Sequence, residues 1–156
     1  MPVRVQTDDF DAGRELAALR SGDCSVGAVA AFIGTVRDVN ADASVSSMTL
    51  EHYPGMTEKA LSDIIAEAKA RWDIVDALVI HRVGALKPAD QIVLVGVTSA
   101  HRGEAFAACE FIIDYLKTRA PFWKKEDTAA GARWVDARTS DDDAAARWQN
   151  PAEPAA

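Results

Sequence analysis

Residues 91–127, QIVLVGVTSAHRGEAFAACEFIIDYLKTRAPFWKKED, change hydrophobic period twice, and those changes decide the fold. With the aspartate before it, "DQIVLVGVTSA" (90–100) is an apolar, Val- and Ile-rich run that reads as a strand. From Ser99 or Ala100 the spacing turns helical. Phe106, Cys109, Ile112, Ile113 and Leu116 share one stripe until Pro121, which lacks the N–H that a helix needs, forbids continuation. Ala120, placed before proline, is pushed to extended backbone. Alternation in "PFWKKE" then puts Phe122 and Lys124 on one side and Trp123 and Lys125 on the other.

Working outward, "VDALVIHRVG" (75–84) is a further strand, joined to the 90–100 run through "ALKPA", whose proline and shortness favour a turn or hairpin. "PGMTEKALSDIIAEAKARW" (54–72) is an amphipathic helix with Thr57 as N-cap and Leu61, Ile64, Ile65 and Ala68 on its apolar face. "SMTLEHY" (47–53) is a strand with Met48, Leu50 and His52 on one face and Thr49, Glu51 and Tyr53 on the other. "VGAVAAFIGTVRD" (26–38) is so continuously apolar that it suits a strand covered on both sides, and it is expected to pair with 47–53. The small, polar "VNADASVSS" between them reads as a loop. Near the N-terminus, Val3 to Gln6 form a short strand, and 7–22 a helix with Thr7 or Asp8 as N-cap, Leu16 and Leu19 inward and Gly22 as the stop. "ARWVDAR" (132–138) is the last strand. Helices and strands mix without strict alternation, which predicts an α+β sandwich with helices on a mixed, largely antiparallel sheet.

A chain of 156 residues, 49% hydrophobic, is the length of one core, and the reading is a single domain over 1–138 followed by a short C-terminal helix and flexible tail over 139–156. The net charge of −7 argues against a nucleic-acid or polyanionic-membrane binder, which needs a broad basic face. Any anion site must be local. Cys24 and Cys109 stand 85 positions apart with no CxxC and no zinc-like His spacing, so neither a disulfide framework nor a metal site is indicated, and Cys109 belongs on the buried face of its helix. No basic leader followed by an apolar run and no stretch of 18 apolar residues occurs, which predicts a soluble, cytoplasmic protein with no required cofactor.

Against the acidic background, a few cations stand at element ends. His101 and Arg102 occupy the first turn of a helix, where the dipole prefers negative groups by roughly 0.3–1 kcal/mol each. A bound anion removes that conflict; side chains reaching back to surface carboxylates such as Glu104 are the alternative. At the other end of the helix, Lys117 and Arg119 satisfy the dipole without a ligand. Lys124 points inward with Phe122, and a lysine beside apolar surface and a second cation is prepared for proton transfer; two solvated lysines are the alternative. Arg37 ends the apolar strand. His52 and His81 lie inside strand patterns and read as packed residues outside the site. No Ser-His-Asp spacing, phosphate-cradling glycine loop or HExxH is present. Sixteen helical steps of about 1.5 Å separate His101 from Lys117 by about 24 Å, too far for one small substrate. Either two sites exist or two chains of a twofold dimer share one.

"FIGTVRD", "LEHYPGMTEKAL", "HRVGAL", "VGVTSAHRGEAF" and "DYLKTRAPFWKKE", in this order and spacing, resemble the catalytic (large) subunit family of molybdopterin synthase, from about residue 5 to Trp148. The resemblance implies an α/β hammerhead fold and a homodimer within a heterotetramer, each large subunit carrying a small ubiquitin-like sulfur-carrier subunit with a C-terminal thiocarboxylate. It also implies conversion of cyclic pyranopterin monophosphate to molybdopterin by installing a dithiolene. Thr35, Val36 and Arg37 resemble the family's first substrate-binding segment, and His101 and Arg102 its anion-binding pair. Lys117 resembles the lysine near the incoming thiocarboxylate, and Lys124, with Lys125 and Glu126 beside it, the second site lysine. Arg138 is a further contributor. One departure is that "RDVNADASVSS" lacks the glycine that many relatives place after the Arg37 position. Two other readings compete: a dimeric, non-catalytic adaptor for a ubiquitin-like protein, and an acyltransferase of the GNAT type, suggested by the strand, Arg-Gly and helix of "VGVTSAHRGEAFAA".

Overall fold

A computed structural model describes residues 2–40, 43–129, 131–135 and 139–149. In chain order the elements are β1 (Val3–Gln6), α1 (Ala12–Arg20), β2 (Ala28–Thr35), β3 (Val39–Asn40), β4 (Ala43–His52), α2 (Met56–Arg71), β5 (Asp76–Arg82), β6 (Gly84–Leu86), β7 (Gln91–Ser99), α3 (Arg102–Arg119), β8 (Phe122–Thr128), β9 (Gly131–Val135) and α4 (Thr139–Ala146). They build two sheets. The first has the order β1-β5-β7-β2, parallel only at β1–β5. The second runs β3-β4-β8-β9, with β6 added against β4, and its pairings are antiparallel. This is the mixed, largely antiparallel α+β architecture expected from the chain.

The first sheet is the centre of the core because β5 and β7 are apolar on both faces. On one face, Val79, Val93, Val95 and Val97 meet Leu61, Ile64 and Ala68 of α2 and Ala108, Phe111 and Ile112 of α3, all fully or almost fully buried. On the other face, Leu78, Ile80 and Leu94 are covered by Phe10 and by Leu16 and Leu19 of α1. Gly96 makes the α1 contact possible, since a Cβ there would lie 2.8 Å from a Leu16 methyl. A smaller core of Val36, Met48, Leu50, Val83 and Leu86 joins the two sheets.

Several expectations need correction. β2 pairs with β7, not with the strand at 47–53, which is committed to β6 and β8. Nor is β2 covered on both sides within one chain. It is an edge strand beyond the reach of α1, leaving Val29, Phe32 and Ile33 about 40% exposed (40%, 38% and 42%). The expected loop at 39–47 contains β3 and the start of β4. These small residues stay extended because Val45 is buried and the Ser47 hydroxyl donates to the Asp127 carboxylate at 2.6 Å across the β4–β8 pair. β6, unread in the sequence, leaves the β5–β7 connection to join the second sheet.

The helix starts differ from the sequence expectation. Asp11, not Thr7 or Asp8, caps α1 and accepts from the Arg14 N–H at 3.1 Å; Asp9 is held instead by Phe10 N–H and Gln91. Gly55 caps α2, its N–H donating to Glu58. Thr57 is buried inside that helix, where its hydroxyl accepts from Tyr53 N–H and donates to Pro121 carbonyl, tying α2 to the turn after α3. α3 starts at Arg102, because Ser99 ends β7. Its buried stripe is Ala105, Ala108, Cys109, Phe111, Ile112, Tyr115 and Leu116, while Phe106 is 66% exposed. α4 packs against α3: Ala145 is buried, and Trp148 sits edge-on to Trp72 and Phe111 while donating to Asp114 at 2.7 Å. Residues 150–156 of the expected tail lie outside the described residues. No helix among the described residues is long and apolar enough to cross a membrane.

Candidate active site

Pro121 is the hinge of the site. α3 ends at Ala120 in extended backbone, and the Phe122 N–H returns to the Ala120 carbonyl at 2.9 Å. Thr57 pins the Pro121 carbonyl. The chain therefore turns from α3 into β8 so that Lys117, in the last turn of the helix, and Lys124, on the inner side of the strand, open on one cleft of about 510 Å³. Phe122 and Lys124 share that inner side, as the alternation predicted. The facing wall is the end of β2 with Thr35, Val36 and Arg37, held by Val36 N–H donating to Asp90 carbonyl and Ala89 N–H donating to Val36 carbonyl.

The floor is apolar. Met48 and Leu50 from β4, Ile92 from β7 and Leu116 from α3 line it, and Phe32 and Ile33 of β2 reach it from the open edge. Low-polarity walls around three cations strengthen their pull on an anion, because less water screens the charge. Two lining residues were missed by the sequence reading. Asp141 comes from α4, a placement no local pattern predicts. His81, set aside as a packed residue, is indeed only 4% exposed, but it lines the cleft, stacked on Phe122 with ring centroids 3.8 Å apart.

The other expected residues lie elsewhere. His101 and Arg102 are exposed at the opposite end of α3 and do not line this cleft. Among the described residues neither forms an ion pair, so the dipole conflict is not resolved by surface carboxylates; Glu104 approaches Ser99 instead. Gly27 is pressed on the same turn, where a Cβ would come within 2.3 Å of the Ala100 carbonyl oxygen, so the start of β2 touches the segment carrying His101. Lys125 points away from Lys124 and lies over the Trp134 ring at 5.9 Å. Glu126 is buried on the Lys124 side of β8. Arg138 lies outside the described residues. Arg119 pairs with Glu67 at 2.6 Å and covers the Tyr115 ring, as a helix-end cation needing no ligand.

Burial, with help from the nearby Lys117 and His52 charges, pushes the His81 imidazole down to about 3, against the opposing hydrogen bond to Arg82 carbonyl. His81 is thus neutral in the folded protein at ordinary pH. Unfolding restores a pKa near 6.5, so between about 6.5 and 3 the unfolded chain binds a proton that the folded chain does not, and stability falls as pH falls through that window. Urea unfolding at pH 5 is expected to give a stability about 2 kcal/mol below that at pH 7 from this group alone. A His81→Phe chain should lose most of that difference; an unchanged pH dependence in it would show that His81 is not the titrating group. Burial likewise raises the Cys109 thiol to about 12, leaving it inert, whereas Cys24 is exposed.

Comparison with known proteins adds a family context. The family model described as MoaE protein matches residues 5–119. The molybdopterin synthase catalytic subunit of Ralstonia nicotianae is 70% identical over 94% of this chain and 83% of its own length. That of Pseudomonas aeruginosa is 57% identical over 96% of this chain and 99% of its own. Among solved structures, the molybdopterin biosynthesis MoaE protein from Burkholderia ambifaria superposes with a TM-score of 0.81 at 60% identity, covering 95% of this chain and 97% of that one. Molybdopterin synthase from Staphylococcus aureus gives 0.81 at 29% identity, with 87% and 98% covered.

Proposed function

The chain belongs to the MoaE protein family, and from that premise we propose that it works as the catalytic large subunit of a molybdopterin synthase in the cytoplasm. Its substrate is cyclic pyranopterin monophosphate, and its sulfur donor is the C-terminal thiocarboxylate of a small ubiquitin-like subunit. The observation that carries this reading is the convergence of Arg37, Lys117 and Lys124 on one apolar-floored cleft, with no cysteine among its described lining residues to carry sulfur. Such a cleft suits a reaction whose sulfur arrives from outside.

In the proposed sequence the thiocarboxylate sulfur bonds to a substrate carbon as a carbon–oxygen bond at that carbon breaks, its oxygen leaving as water or staying on the opened phosphate ester, so that the carrier is joined to the pterin through a thioester. Water then breaks the acyl–sulfur bond, so that sulfur stays on the pterin and a carboxylate leaves on the carrier. A second loaded carrier repeats the step to complete the dithiolene. Attack of water develops an oxyanion, which an ammonium in a low-dielectric cleft stabilises. Lys117 and Lys124 are assigned this work and the accompanying proton transfers. Thr35, Val36 and Arg37 hold the substrate, Lys125, Glu126 and Arg138 support it, and His101 and Arg102 grip its phosphate.

The last pair requires a second chain. Among the described residues the outer edge of β2 has no strand partner, and β2 carries exposed Val29, Phe32 and Ile33, which suits antiparallel pairing with the same strand of a twofold mate. Seven strand steps of about 3.3 Å span about 23 Å, close to the separation of about 24 Å between His101 and Lys117. Such pairing sets the Ala28 end of one β2, beside His101, against the Thr35 end of the other, beside the cleft. A homodimer with one small subunit on each large subunit follows.

Incubating the chain with thiocarboxylated small subunit and cyclic pyranopterin monophosphate is expected to yield the dithiolene product. Tight complex formation with no product would leave the adaptor reading instead. Family membership sets the acyltransferase reading aside.

A further inference from the structure

We propose that His81 is the hydrogen-bond acceptor that orients the bound heterocycle, taking an N–H of the pterin on its Nε2 lone pair; this rests on the pterin reading of the cleft given above. The ring is fixed in two directions. Nδ1 lies 2.7 Å from the Arg82 carbonyl oxygen, and a carbonyl only accepts, so Nδ1 carries the proton and Nε2 the free lone pair. The face of the ring is stacked on Phe122 at 19° between planes. His81 lines the cleft, and with Nδ1 held by the Arg82 carbonyl and one ring face covered by Phe122, Nε2 is the ring nitrogen left for a ligand there.

The chemistry of the remaining lining makes this lone pair distinctive. Arg37, Lys117 and Lys124 are donors only when charged, and they suit a phosphate or an oxyanion. A pterin also presents N–H groups, which repel cationic donors and, once buried, need an acceptor. Of the described lining residues, Thr35 and Asp141 also bear side-chain oxygen acceptors, but Thr35 is exposed and Asp141 comes from α4. His81 is the acceptor on the floor. Burial keeps the ring neutral, with Lys117 from α3 and His52 from β4 acting in the same direction, so that it stays an acceptor.

The test uses the complex of the full chain with its small subunit, titrated calorimetrically with cyclic pyranopterin monophosphate. His81→Phe keeps the stack but removes the acceptor, and its Kd is expected to rise roughly 5- to 100-fold, the range for leaving a buried donor unpaired. His81→Gln, which restores an acceptor near the Nε2 position, should recover most of the loss. In the unsubstituted protein the nitrogen-15 resonance of Nε2 should start at a lone-pair position and move upfield on adding substrate, a readout independent of how any variant folds. An unmoved resonance, or an unchanged Kd in a folded His81→Phe chain, overturns the inference. An unchanged Kd with a displaced pH profile of turnover also overturns it, because the lone pair then serves Lys117. If the unsubstituted complex binds no pterin at all, the synthase reading itself fails, and that outcome is distinct from pterin binding that ignores His81.

Discussion

Replacing Lys117 by alanine is expected to lower dithiolene formation by roughly 10²- to 10⁴-fold, the usual contribution of a positioned acid–base group, while the chain remains folded and still binds its small subunit. Lys117 is exposed at the last turn of α3, where its favourable interaction with the helix dipole is worth about 0.3–1 kcal/mol. A loss below tenfold would remove Lys117 from the chemistry and leave Lys124 as the remaining lysine of the cleft. The same substitution tests the shared site. Lys117→Ala and Arg102→Ala chains, each inactive as homodimers, should regain about one functional site per mixed dimer, since one of the two clefts then combines an intact Lys117 with an intact Arg102. Proven mixed dimers without recovered activity would show that His101 and Arg102 do not act across the dimer.

The second large effect concerns stability. Phe111→Ala should cost about 3–5 kcal/mol, because the ring is fully buried and its removal leaves a cavity that neighbours fill only in part. The neighbours are aromatic: Trp72 at 5.3 Å, Tyr115 at 4.6 Å and Trp148 at 5.6 Å between centroids, all edge-on, with the Arg71 guanidinium 4.7 Å above the ring. For a domain of this size the change corresponds to a fall in Tm of roughly 6–20 °C. Because Trp148 rests on Phe111, α4 and the cleft residue Asp141 should loosen together, visible as proteolytic cutting near the C-terminus before global unfolding. A cost under about 1.5 kcal/mol would mean that the aromatic cluster closes over the gap and does not anchor α4.

How much of this was legible beforehand depended on the range of the interaction. The α3–Pro121–β8 sequence encodes its own geometry: proline stops the helix, alternation sets Lys124 inward, and sixteen residues fix the separation of His101 from Lys117. The apolar patterns of α2, β5 and β7 also declared themselves, since each is buried by its own face. The helix caps did not. Thr7 or Asp8 for α1 and Thr57 for α2 read as caps locally, yet Asp11 and Gly55 take those places, and Thr57 is engaged by the distant Pro121 carbonyl. The phase of α3 was misjudged for a related reason, as Phe106 and Phe111 are equally apolar and only the position of Trp72 and Trp148 selects Phe111 for the core.

The sequence by itself determined an α+β chain, the order of its main elements and the placing of cations at element ends, because periodicity, proline and charge act over a few residues. Which strands pair was decided only in three dimensions. β2 is as apolar as a central strand, yet it lies at an edge, and its exposed residues become intelligible only when a second chain is placed against them. His81 gives the same lesson in one residue. Its strand position foretold burial, and the neighbouring Arg82 carbonyl that fixes its proton is local, but the Phe122 ring that fixes its plane and the cleft that it lines come from contacts that only the folded chain brings together.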